Sequence, residues 1–154
     1  MQMKLKKVLT TLMIVASMSL TSQAAFASEV APYVTGIGDT QNSAITALPN
    51  QWFSLFLSNA QDQDWYKWTN DTGVAKKATG QLFNKGTNSA LRLGLKIDYN
   101  DGSEPTSILY SKYGEKGAQQ TVANLYIPPG ATVYAVVDSV IFATEQYDFV
   151  LFVY

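Results

Sequence analysis

The sequence contains neither cysteine nor histidine. Without cysteine the chain has no disulfide and no thiolate metal site, and without histidine it has no imidazole-bound zinc. The two absences together exclude the Ser-His-Asp and Cys-His nucleophile systems. The fold must therefore be stabilised by packing alone, which a hydrophobic content of 47% permits.

Positive charge is also scarce. Lysine and arginine together number 11 against 12 acidic residues, and three of the lysines, Lys4, Lys6 and Lys7, lie at the very start of the chain. The rest of the chain is mildly acidic, whereas nucleic acids and anionic membranes require clustered basic residues. We therefore expect no nucleic-acid partner, and no membrane partner once the first residues are removed.

The first 27 residues have the pattern of a secretory signal peptide. The three lysines are followed by an apolar run over residues 8–20 and by the small-x-small sequence Ala25-Phe26-Ala27. A membrane anchor is the alternative, but the apolar run is shorter than the roughly 20 residues that a spanning helix needs. We expect a signal helix over residues 1–27, cleavage after Ala27 and an extracellular product.

The remaining sequence predicts short strands and no helix. An extended lead-in is expected over residues 28–50, and one domain over residues 51–154. The predicted strands cover residues 52–57, 64–69, 78–83, 90–99, 107–113, 121–127, 131–138 and 147–153. About eight short strands separated by turns indicate an all-β fold, either a single antiparallel β-sandwich or a barrel.

Aromatic residues provide the strongest indication of function. Alternation along two strands places Phe53 on the core face and Trp52, Phe56 and Trp65 on outer faces. Several exposed rings would form an apolar patch suited to a polysaccharide or a protein. The alternative is that these rings cover strand edges or pack beneath loops.

Aspartates offer a second candidate site. Asp62 and Asp64, with Asp39 as a third ligand, are oxygen donors of the kind that bind calcium, although aspartate at a turn also satisfies backbone N–H groups. Residues 98–104 lack the glycine and glutamate spacing of an EF-hand and predict a hairpin turn. No carboxylate pair stands out for hydrolysis, so we expect no enzyme.

The segment Asp-Gln-Asp-Trp-Tyr-Lys-Trp at residues 62–68 resembles the core segment of the bacterial pre-peptidase C-terminal domain. Residues 38–44, 91–99, 130–137 and 147–151 are similar to that family's lead-in and later strands. The resemblance implies a jelly-roll β-sandwich, found attached to secreted peptidases, that is non-catalytic and in some members binds calcium or insoluble protein. Residues 36–38 depart from the family, since Gly-Ile-Gly replaces its Glu-Pro-Asn, and we expect a stand-alone domain.

These observations predict a secreted accessory module that binds an extracellular polysaccharide or protein through Trp52, Phe56 and Trp65. A different hypothesis is a structural or interaction protein that self-associates through its apolar outer strips. A weaker one is a small hydrolase that depends on Asp62 and Asp64.

Overall fold

The structure, a computed structural model, describes residues 37–86, 90–141 and 145–154. The predicted signal peptide and its cleavage site lie outside these residues. No helix in the described ranges is long and apolar enough to span a bilayer.

The regular secondary structure of the described residues consists of nine strands and one short 3₁₀ turn. The 3₁₀ turn covers Gln41–Ser43, and the strands are β1 Ile45–Thr46, β2 Trp52–Leu57, β3 Gln63–Thr69, β4 Lys76–Asn84, β5 Leu91–Asp98, β6 Leu109–Tyr110, β7 Gln119–Ile127, β8 Thr132–Ser139 and β9 Glu145–Val153. All eight predicted strands are present, and β1, inside the predicted lead-in, is the additional one.

The strands form two sheets. One has five strands in the order β1-β3-β8-β5-β6, and the other has four in the order β2-β9-β4-β7. Every pairing is antiparallel except that of β1 with β3, which is parallel. The five-stranded sheet is therefore mixed at its β1 edge, whereas the sequence predicted a wholly antiparallel fold.

One hydrophobic core lies between the two sheets, which is the arrangement of a β-sandwich. Alternate residues of β5 and β9 enter it, and the residues of this inward face that are fully buried are Leu91, Leu93, Leu95, Tyr147, Phe149 and Leu151. Phe53 and Leu55 of β2 pack against the same core. The predicted inward direction of Phe53 is thus confirmed, because period-two alternation is enforced wherever one face of a strand is buried.

A chain of buried hydrogen bonds joins the two sheets inside this core. The hydroxyl of Tyr147, on β9, donates to a carboxylate oxygen of Asp64, on β3, at 2.5 Å. The hydroxyls of Tyr147 and Tyr66 are 2.7 Å apart. Burial is the main cause of a raised pKa for both tyrosines, so both hydroxyls keep their protons. These three polar groups are thereby satisfied across the gap between the sheets.

Replacing Tyr147 with Phe should lower the free energy of unfolding by about 2–3 kcal/mol, because it leaves two buried polar groups without their partner. Urea denaturation measures the change. Tyr154→Phe is the matched control: the hydroxyl of the exposed Tyr154 donates to Asn124 and lies 3.0 Å from the Thr79 hydroxyl, and its loss should cost about 1 kcal/mol or less. Equal effects of the two substitutions would contradict a structural role for the inter-sheet bonds.

Candidate binding face and acidic cluster

The lead-in carries Asp39 to the side of β3. The carbonyl of Gly38 accepts the N–H of Trp65 at 2.7 Å, and Gly38 has a φ of 88°. A Cβ at this position would lie 3.1 Å from the Trp65 carbonyl oxygen, so glycine is required both for the conformation and for the close approach. Thr40 then caps the 3₁₀ turn through a reciprocal bond with Ser43, which fixes the segment after Asp39.

Three carboxylates meet at this end of β3. Asp39, Asp62 and Asp64 each place one carboxylate oxygen within 4.8 Å of the others. Asp39 is exposed, Asp62 is half-buried and Asp64 is only 5% exposed. A shallow hollow of about 190 Å³ opens over Asp39 and Asp62. The three aspartates suggested by the sequence are therefore brought together.

Two of the carboxylates are oriented by the protein. One oxygen of Asp62 accepts the backbone N–H of Ser58 at 2.6 Å and its hydroxyl at 2.7 Å, which is the turn role expected of an aspartate here. One oxygen of Asp64 accepts the Tyr147 hydroxyl. Each carboxylate has a second oxygen, so the turn role of Asp62 and a ligand role are compatible.

The pKa of Asp64 is raised from 3.8 to about 7, mainly by burial; the Tyr147 hydrogen bond opposes this rise, and the nearby charges of Asp62 and Asp39 add to it. Bringing three like charges together without a cation is unfavourable, and a bound divalent cation would remove that repulsion. The donor set is all oxygen, as calcium and magnesium prefer. The chemistry of these residues fits a hard cation with three protein carboxylates.

A separate cluster of rings lies on the outer face of the four-stranded sheet. Trp52 of β2 is 52% exposed, and its ring centroid is 5.5 Å from that of Phe83 on β4 and 6.4 Å from that of Phe152 on β9. Val150, on the strand between β2 and β4, faces the same side and is fully buried. Trp52 therefore leans across β9 towards the middle of the sheet.

Polar groups border these rings. Asp148 pairs in register with Ser54 on one side and with Phe83 on the other. It accepts the Ser54 hydroxyl at 2.5 Å and forms a salt bridge with Lys85. Burial alone would raise the pKa of Asp148, but the bonds from Lys85 and Ser54 outweigh it and lower this pKa, so the carboxylate is ionised.

Rings and polar groups share one cleft, which we call the Trp52 cleft. Its volume is about 510 Å³, and it is lined by Trp52, Phe83, Asn84, Lys85, Gly117 and Asp148. The cleft combines an apolar ring surface with a neutral ion pair and a hydroxyl at its border.

The other two predicted ligand-binding aromatics are placed differently. Phe56 is exposed by 57% on the outer face of β2, as predicted, but it lies four residues along the strand from Trp52, or about 13 Å. The expectation that Trp65 faces solvent is wrong, since only 8% of it is exposed. Trp65 is on the predicted outer face, but there it belongs to a small buried cluster with Ala44 from the lead-in and Val136 from β8. Ile108 and Tyr110, from around β6, pack against the same cluster.

Sequence reasoning did not select Phe83, Lys85 or Asp148 for the cleft. Because successive residues of a strand point to opposite faces, Phe83 must point away from the face that carries the buried Leu82. The outward direction of Phe83 could therefore be predicted from the sequence. The proximity of Phe83 to Trp52 could not be predicted from the sequence, because it depends on β9 lying between β2 and β4.

No protein-family model matches this chain, and no curated protein is similar to it at a significant level. Among solved structures, the chain is similar to the pre-peptidase C-terminal domain of the collagenase from Bacillus anthracis. The identity is 15%, the TM-score is 0.48, and the match covers 70% of this chain and 93% of the other. The function is therefore inferred below from this chain's own residues.

The raised pKa of Asp64 predicts a pH-dependent stability. Between pH 3.8 and about 7 the folded state keeps a proton that the unfolded state has lost, so the free energy of unfolding should fall as pH rises through this window. The total fall in the free energy of unfolding across this window is at most about 4 kcal/mol. Urea denaturation at several pH values, with a chelator present, measures it.

Asp64→Asn is the control for other titrating groups, because the amide keeps an acceptor for Tyr147 but cannot ionise. The wild-type protein should lose more stability than this variant between pH 4 and pH 7. Parallel pH profiles for the two proteins would contradict the assignment.

Proposed function

We propose that this chain is a secreted, non-catalytic module that binds an extracellular polymer in the Trp52 cleft. The observation that carries the proposal is the pairing of an exposed Trp52 with Phe83 at 5.5 Å beside Ser54 and Asp148. Rigid rings bury a large area at a low cost in side-chain entropy, which suits a repeating ligand.

The chemistry of the cleft favours a polysaccharide over a protein as this polymer. A sugar presents apolar C–H faces and hydroxyl edges, and the cleft offers rings together with carboxylate and ammonium groups, with the Ser54 hydroxyl bonded to Asp148 at its border. Because Lys85 and Asp148 are paired, the cleft has no net charge to attract a strongly acidic or basic chain. An uncharged polysaccharide is the ligand that these groups match best.

The test is binding of the chain to insoluble polymers, with cellulose, chitin and peptidoglycan in one arm and collagen and elastin in the other. Trp52→Ala and Phe83→Ala should each weaken binding to the preferred polymer about tenfold or more, since central aromatic residues dominate such contacts. Circular dichroism should show an unchanged fold for Trp52→Ala, because its ring is half exposed.

Tyr126→Ala is the matched control. Tyr126 is 61% exposed on β7, at the opposite edge of the same sheet from β2, and does not line the cleft. Its replacement should leave binding unchanged. Equal binding by all three variants and the wild type would rule out the cleft, and preferred binding to the protein polymers would reject the polysaccharide assignment.

We also propose that calcium binds the acidic cluster and stabilises the junction of the lead-in with β3. Asp39, Asp62 and Asp64 would supply one carboxylate oxygen each, and the cation would supply the positive charge that these groups lack. Two facts support this proposal: the three oxygens converge within 4.8 Å, and Asp64 is buried beside two like charges.

Calcium should raise the thermal unfolding temperature relative to the protein in chelator. At ten times the dissociation constant the gain is about 1.4 kcal/mol. Asp39→Asn is the diagnostic variant, because Asp39 is exposed and its loss should remove the calcium effect without disturbing the fold. An identical calcium shift in the wild type and the variant, or no shift in either, would refute the site.

A further inference from the structure

The two sheets have four edge strands in the described ranges, and three of them are unsuited to pairing with another chain. β1 and β6, the edges of the five-stranded sheet, have two residues each. β7, one edge of the four-stranded sheet, is interrupted by a bulge opposite Ala78 and Gly80, where Asn124 has a φ of 61°. Short strands and bulges are the usual means by which natural proteins prevent edge-to-edge association.

β2, the remaining edge, has none of these protections. It contains six residues, all in continuous register with β9, and its sequence Trp-Phe-Ser-Leu-Phe-Leu has no charge and no proline. In an antiparallel pair, alternate residues direct their N–H and C=O groups away from the partner strand. Among the described residues, the backbone of β2 forms ladder hydrogen bonds only with β9.

The side chains of β2 are incompletely covered on both faces. Phe53 and Leu55 face the core but are only half-buried, whereas Phe149 and Tyr147, their register partners on β9, are fully buried. On the outer face, Phe56 is exposed and forms no ring contact among the described residues. A further strand beside β2, apolar on both faces, would cover all three side chains.

We propose that this strand is β2 of a second copy, so that two chains join their four-stranded sheets edge to edge in an antiparallel, two-fold dimer. β2 is itself apolar on both faces, and self-pairing brings no like charges together. Sites that accept a foreign strand add side-chain pockets for specificity, whereas here Phe56 projects from the surface. Formation of the dimer does not require the Trp52 cleft, because Trp52 leans away from this edge.

The test combines sedimentation and amide hydrogen exchange on the full chain over a range of concentrations. The wild type should dimerise reversibly, and amides of β2, but not of β6, should exchange more slowly as concentration rises. Phe56→Lys should raise the dimer dissociation constant at least about tenfold, because it places a lysine of each copy at the contact. Tyr126→Lys puts the same charge on the β7 edge and should leave the dimer unchanged.

Three results would overturn the proposal: a wild-type monomer at all concentrations, dimerisation that Phe56→Lys does not weaken, or dimerisation without slower exchange in β2. The exchange measurement on the wild type decides the question even where Phe56→Lys folds poorly. The Phe56→Lys monomer should still bind the polymer, more weakly than the dimer because it has only one cleft, whereas Trp52→Ala should still dimerise but lose polymer binding. Failure of the dimer and failure of the Trp52 cleft therefore give different results.

Discussion

The hydrogen bond from Tyr147 to Asp64 is the contact on which the acidic cluster of this sandwich depends. It links β9 of one sheet to β3 of the other and continues to Tyr66. A buried carboxylate is costly unless it is hydrogen-bonded, so the hydroxyl of Tyr147 makes the inward position of Asp64 tolerable. The bond thereby holds one member of the acidic cluster at the end of the core, where Asp62 and Asp39 approach it.

Strand β9 connects the acidic cluster with the Trp52 cleft. Its neighbouring residues Tyr147 and Asp148 point to opposite faces of the sheet, as successive residues of a strand must. Tyr147 bonds Asp64 inside the sandwich, while Asp148 bonds Ser54 and Lys85 on the outer face. A displacement of β9 would therefore alter the acidic cluster and the Trp52 cleft together. The packing of β9 in the core thus affects the geometry of the proposed binding surface.

The sequence was sufficient for features that depend on neighbouring residues and insufficient for those that depend on sheet order. Period-two alternation correctly assigned Phe53 to the core face of β2 and Phe56 to its outer face, because burial of one face fixes the register. It could not predict the burial of Trp65, since Ala44 and Val136, which share its cluster, come from distant parts of the chain. The convergence of Asp39 with Asp64 likewise depends on Gly38 bonding to β3, a contact that no local pattern reveals.

The geometry of β2 relates the proposed dimer to the proposed ligand. Antiparallel pairing of two β2 strands about a two-fold axis keeps the outer faces of both sheets on the same side. The two Trp52 clefts would then open in one direction on a continuous sheet of eight strands. A polymer presents many identical sites, so two clefts held together bind it at a high effective concentration even where each cleft binds weakly. In the described residues, β2 is an edge strand without a bulge, charge or proline, and it lies beside an aromatic cleft. This arrangement suits a module whose affinity for a polymer is increased by dimerisation.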